Sequence, residues 1–325
     1  MRLATYVLLL SVCCFLPRAA RADVWLKPEI GTQLGTTDFE LKLEQRNSSG
    51  DLKVRSLLEW PVDFWLLGLE LGGSFPAARP GDAWLIEARF NSSLGNPRGK
   101  MVDSDWLSSR SEGIPPTLFA RTESKTEGFA LLNELSLGYR FGRMRDSHRL
   151  VVDMLTGTRV EYYALTAMGA EGKYLDQDGD FSKVTIEDDI EAAVYTVFHI
   201  LPFVGSRVVF RPLPDLSFPV MARLHAVLSY SHDDHVLRNK DAYGHAYGMG
   251  VSASGAVEYQ VAPKVSLGLS TEAYYLTSFT GVLKQEFYDD DPGTAADERD
   301  SAVPDSDFAA KSVRLQLMAF ARLTF

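Results

Sequence analysis

The sequence predicts an all-β protein: a ten-stranded antiparallel transmembrane β-barrel with long extracellular loops. Three observations predict it. After residue 22, no run of about 18 apolar residues is available for a membrane-spanning helix. Even so, 46% of the residues are hydrophobic, and over long segments they alternate with polar residues, as they do in a strand. The chain also ends on an aromatic residue, Phe325, at the end of such a segment.

Residues 1–22 form the predicted signal peptide and residues 23–325 the predicted barrel. A charged residue, Arg2, precedes a short apolar run, which leads to a small-x-small cleavage pattern, Ala-Arg-Ala, at 20–22. The run is too short for a spanning helix. Lipid attachment at Cys13 is the less favoured alternative, since it needs a small residue before the cysteine and the sequence has a valine there.

Composition excludes several classes of function. Cys13 and Cys14 are the only cysteines, so the barrel segment can hold no disulfide, thiol nucleophile or cysteine-ligated metal. That segment has 30 basic and 43 acidic residues, a net charge of −13, which makes it a poor ligand for nucleic acid. The absence of Walker, HExxH and GxSxG motifs removes the phosphate-binding, zincin and serine-hydrolase interpretations.

The predicted strands are joined by short turns at one end and long loops at the other. Segment 35–45 is the first strand, a turn follows at 47–51, 52–60 returns, and another strand opens at Trp65. Short turns are predicted at 142–148, 212–215 and 262–263, and long loops around 91–117, 169–183, 233–242 and 284–307. With both termini at the short-turn end, this gives ten strands and five outer loops.

The alternation predicts which side chains face lipid and which face the lumen. In 219–235, 264–276 and 311–325, one face is apolar and the other carries polar and charged residues. The outward residues include Val220, Leu224, Leu228, Leu267, Leu269, Val313, Leu315 and Leu317, and the inward residues include Arg223, His225, Ser231, Glu272, Ser312, Arg314 and Gln316. A water-soluble β-sandwich is the alternative, but polar inner rows on such long strands fit it poorly.

Four polar residues stand near the predicted outer ends of strands. Asp103 and Asp105 lie in KMVDSDW (100–106), in the second long loop just beyond the rim, and Asp233 and His235 end the inner row of the seventh strand. Each pair is spaced i, i+2, so both members point to one side of an extended chain. Such pairs are usually solvated surface, but a closed barrel can hold these two opposite each other. The imidazole, oriented by its carboxylate, could then take a proton from water that the acid pair positions.

These stretches resemble a known family. RGKMVDSDWLSS (98–109) is similar to the second outer loop of omptins, the outer-membrane proteases of Gram-negative bacteria, and DDH (233–235) is similar to their Asp-x-His element. SLLEW (56–60), GTRVEYYALTAMGAEGKY (157–174) and the C-terminal phenylalanine fall in omptin order and spacing. The resemblance covers nearly all of residues 23–325, and its specific core is M-V-D-x-D-W.

The resemblance implies a function. Omptins are ten-stranded barrels that cut peptides at basic residues and need lipopolysaccharide for activity. Carried over, Asp103 and Asp105 become the acid pair, and Asp233 and His235 the dyad that activates water. The expected protein is a monomeric outer-membrane endopeptidase acting on peptides or proteins. Its cleft faces outside, it needs no metal or cofactor, and lipopolysaccharide is its activator. A non-enzymatic barrel, either a narrow pore or an adhesin, is the alternative.

The chain also departs from the family. The W-T-D-x-S-x-H-P stretch that follows the omptin acid pair is missing, and Ser231 stands where an acid is expected two residues before Asp233. The lipopolysaccharide pattern Tyr-x-Glu-x-Arg is scrambled in GTRVEYY (157–163), where Arg159 and Glu161 are arranged differently. This predicts a weaker dependence on that lipid.

A specificity acid is predicted on the first strand. Phe39 and Leu41 are expected to face lipid, so Asp38 and Glu40 would point inward near the outer rim. A basic substrate side chain entering the barrel needs a carboxylate partner, because an unpaired charge is costly to desolvate. Glu40 is the predicted partner, and Asp38 is the second choice.

Two segments imitate metal sites. DQDGDFSKVTIE (176–187) has acids at the positions of a calcium loop, but Phe181 replaces the glycine of its sharp turn. HDDH (232–235) could hold zinc only if His232 and His235 shared a face, and on an extended strand they point to opposite faces. A solvated loop and a metal-free strand end are the favoured interpretations.

Overall fold

A computed structural model of the chain confirms the predicted fold class, a closed ring of antiparallel strands. The structure describes residues 22–47, 50–79, 81–107, 117–141, 150–176, 180–236, 240–287 and 303–325. The predicted signal peptide therefore lies, up to its last residue, outside the described part. Within the described residues, no helix is long and apolar enough to cross a membrane.

The ring is built from twelve strand segments. They are β1 (Asp23–Asn47), β2 (Gly50–Pro61), β3 (Phe64–Pro76), β4 (Ala83–Leu94), β5 (Lys100–Leu107), β6 (Thr117–Phe141), β7 (Leu150–Leu175), β8 (Phe181–Leu213), β9 (Leu216–His235), β10 (Lys240–Ala262), β11 (Val265–Phe287) and β12 (Val303–Thr324). β2 and β3 are halves of one interrupted strand, since both pair with β1. β4 and β5 likewise both pair with β6. The ring therefore has ten strands, as predicted, and it closes where β12 pairs with β1.

The two chain ends lie together at one end of the barrel, called the lower end below. There the backbone N–H of Phe325 donates to the carbonyl of Val24 at 2.9 Å. Tight turns at 214–215 and 263–264 also lie at this end, which confirms two of the three predicted short turns. The third, 142–148, lies entirely outside the described residues. The connection from β3 to β4 is also at this end, and the sequence analysis missed it.

Several strands extend farther toward the upper end than predicted. Residues 100–107, predicted within a loop, form β5. β7 continues to Leu175 and β8 begins at Phe181, so the loop predicted around 169–183 shrinks to 176–180. The prediction failed because a strand that has left the lipid no longer needs an apolar outer face. Its sequence then loses the alternation that marks the lower half.

The outer surface of the lower half is an apolar belt. Val220, Leu224 and Leu269 are 58%, 56% and 66% exposed. Their inward neighbours, among them Arg223 and Glu272, are buried. The lipid-out, polar-in assignment of 219–235, 264–276 and 311–325 is therefore confirmed, and this belt is the lipid-facing surface of a transmembrane barrel.

The lumen inside the belt is crossed by ion pairs. Arg223 on β9 donates from Nη2 to Glu134 Oε1 on β6 at 2.8 Å and from Nη1 to Glu272 Oε1 on β11 at 3.1 Å. Arg89 on β4 reaches Glu272 from the opposite side, with an Nη1–Oε2 distance of 3.4 Å. None of these pairs joins neighbouring strands of the ring, so the contacts bridge the barrel interior and brace its walls against each other.

Beneath these bridges, a cavity of about 530 Å³ occupies the lower lumen. Its wall carries both signs of charge, including Lys27, Glu70, Arg207 and Glu258. Above the bridges, Glu161 accepts hydrogen bonds from Arg159 and from Arg314, and all three side chains are almost completely buried. From the lower end upward, the lumen thus consists of a polar cavity, a layer of paired charges, and a region lined by the large buried cluster that includes Phe39 and Tyr195.

The Arg159–Glu161–Arg314 triad should be essential for stability. Glu161→Gln keeps the size of the side chain but removes the anion that two buried guanidinium groups share. We expect a loss of about 3–5 kcal/mol in unfolding free energy, as for other broken buried pairs. Urea unfolding of the refolded barrel, followed by tryptophan fluorescence, measures it. The matched control is Glu123→Gln. Glu123 pairs with Lys100 at 3.4 Å on the exposed surface and should contribute little. Equal unfolding midpoints for the two variants would contradict the role given to the triad.

Candidate active site

The acid pair lies on a strand rather than in a loop. Asp103 and Asp105 are on β5, between β2 and β6, and both side chains face inward. Asp103 pairs in register with Leu58, and its side chain is buried, with 8% exposed. The prediction of their common orientation is confirmed, whereas the prediction that they lie in a loop is wrong. Strand pairing on both sides fixes the backbone of the pair more firmly than a loop would.

Asp233 and His235 occupy the predicted inward row at the upper end of β9. The imidazole Nδ1 of His235 lies 2.9 Å from Asp233 Oδ2. The contact has ion-pair distance but not the alignment of a hydrogen bond. Both side chains are buried, with 6% of Asp233 and 8% of His235 exposed. Nδ1 faces the carboxylate, so the other ring nitrogen, Nε2, is the one left for proton transfer.

Aromatic rings connect the two pairs across the lumen. Phe39 on β1 is in register with Leu58, the residue that pairs with Asp103, and its ring centroid is 4.6 Å from that of Tyr195. Tyr195 on β8 pairs in register with Asp233. The acid pair and the dyad therefore flank the same aromatic contact, each from its own side of the barrel.

Tyr195 is a site residue that the sequence analysis missed. Its side chain is buried beside Asp233, and burial together with the negative charge of Asp233 raises the pKa of the phenol well above its usual range. The hydroxyl therefore stays protonated at every physiological pH. The stretch VYTVFHI (194–200) carried a usable signal, because its alternation puts Tyr195 on the same face as the buried His199.

The predicted orientation of Asp38 and Glu40 is wrong. Phe39 is 3% exposed and belongs to the buried cluster inside the barrel. Its chain neighbours therefore point outward. Burial alone would raise the pKa of Glu40, but hydrogen bonds from Arg55 and Lys42 on the outer wall outweigh it and lower that pKa. Half-burial is the main reason that the pKa of Asp38 is raised. Neither acid lines the cleft, so their assignment as specificity acids loses its basis.

Two other sequence motifs have structural explanations. His232 faces outward, stacked on Tyr243 at 4.6 Å and in contact with Asp241, so it and His235 do point to opposite faces. Asp176 closes the β7–β8 connection by accepting a hydrogen bond from the backbone N–H of Asp180 at 2.9 Å. Residues 181–187 are extended, which carries Glu187 away from Asp176. No cluster of three potential metal ligands occurs among the described residues.

The fold has a close structural relative. The chain matches the crystal structure of outer membrane protease OmpT from Escherichia coli with a TM-score of 0.72 and 20% sequence identity, over 93% of this chain and 97% of that one. This chain has the omptin fold. No protein-family model matches the sequence, and no curated protein matches it significantly.

A weaker structural match illustrates the limit of such comparisons. The translocator domain of autotransporter NalP from Neisseria meningitidis reaches a TM-score of 0.35 at 9% identity, over 99% of this chain and 94% of that one. A similarity at that level carries no functional information.

Single-cysteine labelling can test the reversed orientation on β1. In a variant with Cys13 and Cys14 replaced by serine, Glu40→Cys should react at least tenfold faster than Phe39→Cys with a membrane-impermeant maleimide. The reason is that one thiol faces water and the other faces the buried cluster. Mass spectrometry of the labelled barrel gives the rates. Faster labelling at position 39 would restore the original orientation and return Glu40 to the cleft.

Proposed function

We propose that the chain is an endopeptidase that hydrolyses peptide bonds with a water molecule activated by His235 and Asp233, opposite Asp103 and Asp105. The observation that carries the proposal is the 2.9 Å contact of His235 with Asp233, held at the level of an inward-facing acid pair. The omptin fold adds support, because the matched structure is that of an outer membrane protease.

The proposed reaction follows from the orientation of the imidazole. Asp233 faces Nδ1 of His235 and stabilises the charged ring that forms when Nε2 takes a proton from water. The water oxygen attacks the peptide carbonyl carbon, and the acid pair positions that water by accepting a hydrogen bond from it. When the C–N bond breaks, the imidazolium returns its proton to the leaving amine. No covalent enzyme intermediate forms.

We place the barrel in the outer membrane of a Gram-negative bacterium, with the upper end outside. The apolar belt supports insertion into a bilayer, and the fold matches a barrel from that membrane. The tight turns at the lower end support the orientation, since such barrels have short turns on the periplasmic side and longer loops outside.

A narrow pore is the rival function, and the lumen argues against it. Arg223, Glu134 and Glu272 join three non-adjacent strands across the interior. An ion crossing the barrel would have to separate these paired charges, which is costly in a buried setting. Asp103, Asp105, Asp233 and His235, called the quartet below, lie above this layer and are not needed to close it.

Substitution of the quartet tests the proposed mechanism. Asp103→Ala, Asp105→Ala, Asp233→Ala and His235→Ala should each remove most hydrolysis of a fluorogenic peptide while the barrel still folds. Because residues that act as a unit are not additive, a double variant should be little worse than a single one. Heat-modifiable gel mobility confirms folding, and His232→Ala, on the opposite face of β9, is the matched control. Full activity of His235→Ala would exclude this mechanism.

Lipopolysaccharide dependence should be weaker than in omptins. Arg159 and Glu161 are the residues of GTRVEYY that resemble the family's lipid-binding pattern. Both are buried in the lumen and paired with each other, so they cannot contact a lipid on the outer wall. Lipopolysaccharide titrated into detergent-refolded protein, with peptide hydrolysis as the readout, should give measurable activity at zero lipid. An absolute requirement that saturates at low lipid concentration would contradict this.

A further inference from the structure

The inward residue of β1 beside the acid pair is aromatic. Phe39 is in register with Leu58 on β2, and Leu58 is in register with Asp103 on β5. Its ring also contacts Tyr195, the register partner of Asp233. Phe39 therefore lies between the strands that carry the acid pair and the strands that carry the dyad.

Phe39 is part of a continuous apolar floor. Its ring stacks on Phe308 of β12 with centroids 6.0 Å apart and an interplanar angle of 4°. Tyr195 lies 4.6 Å from Phe39 and 5.5 Å from Trp60, which is fully buried beneath them. Phe39 and Phe308 are themselves buried, with 3% and 5% exposed, and the strand registers place both above Trp60.

Among the described residues, the buried side chains around the floor include no further anion for a cationic side chain. Around it, the buried polar side chains outside the quartet are hydroxyls and an amide: Thr37, Ser124, Thr126, Ser231, Gln285 and Ser306. Among the described residues at this level, no buried carboxylate occurs besides those of the quartet. The two acids predicted for this task, Asp38 and Glu40, lie on the other side of the wall.

We propose that the cleft selects an apolar, uncharged side chain at a residue flanking the scissile bond, and that Phe39 and Phe308 are the residues that select it. The inference rests on the proposed peptidase function. A lysine or arginine placed here would lose its hydration without gaining an anion, apart from the carboxylates already engaged in the reaction. An aliphatic or aromatic side chain gains from the same contact, because it removes apolar surface from water.

A matched pair of peptides tests the proposal. Two fluorogenic peptides differ only at one residue flanking the cleaved bond, lysine in one and norleucine in the other. Norleucine has the same straight chain without the ammonium group. A second pair varies the residue on the other side of the bond. With the refolded full barrel in lipopolysaccharide-containing detergent, we expect kcat/KM to favour norleucine at least tenfold at one of the two positions.

Three variants locate the selecting residues. Phe39→Glu should raise the lysine-to-norleucine ratio of kcat/KM by about ten- to a hundredfold, the effect of one charge-assisted pair. Phe39→Gln introduces a side chain of the same size as glutamate but without its charge. It should weaken cleavage of the norleucine peptide without any gain for the lysine peptide. Glu40→Gln removes the acid on the outer face and should leave both peptides unchanged. Phe308→Glu repeats the test from β12 if Phe39→Glu fails to fold.

The possible outcomes distinguish a failure of the apolar selection from a failure of the proposed peptidase function. Wild-type cleavage that depends on His235 but favours lysine would overturn the apolar selection and leave the peptidase function standing. Cleavage of neither peptide pair by the wild type, at any lipid concentration, would overturn the peptidase function and the selection with it. Because the wild-type ratio decides the question by itself, a misfolded variant does not leave it open.

Discussion

Successive side chains of a strand point alternately into and out of the barrel along its whole length. The medium outside the barrel, however, changes from lipid to water where the strand leaves the membrane. In the lower half the outside is hydrocarbon, so polar side chains face the lumen and satisfy one another there. In the upper half the outside is water, and apolar side chains such as Phe39 turn toward the lumen. On β1 the change occurs between the lipid-facing Leu34 and the inward Phe39. The ion-pair layer, the aromatic floor and the inward quartet all follow from this single inversion.

The inversion explains why the lumen is closed at two levels by different means. Below, arginines and glutamates from opposite walls meet, as Arg223 meets Glu134. Such pairs contribute little net free energy because desolvation offsets attraction, but breaking one is costly, and this makes the lumen geometry specific. Above, Phe39, Tyr195 and Trp60 bring opposite walls together through apolar contact. The quartet lies on this upper layer, so its two halves are aligned by packing and not by charge.

The same inversion marks the limit of what the sequence could predict. The ten-stranded ring and the outward rows around Leu224 and Leu269 were predictable, because lipid enforces a regular apolar period. The common orientation of Asp103 and Asp105 was predictable from their i, i+2 spacing, and the inward position of His235 from the alternation of 219–235. The orientation of Phe39 was not, since the lipid-out rule was applied beyond the lipid. The contact of Phe39 with Tyr195 joins strands far apart in the chain, and no local pattern encodes it.

The site also depends on two strands that break at the same level. The break at residues 62–63 and the break at 95–99 lie side by side, and the backbone N–H of Arg98 donates to the carbonyl of Asp63 at 2.8 Å. Gly99, at φ +123°, leads into β5 where a Cβ would lie 3.0 Å from Pro61. A larger residue would have to adopt a strained backbone and displace that proline. The breaks let β2 and β5 run in directions different from those of β3 and β4 above the lipid, while their backbone groups stay paired with neighbouring strands. The two breaks therefore set the direction of the paired strands that carry the acid pair. The alignment of the acid pair with the dyad follows from strand pairing in the ring and does not require loop closure.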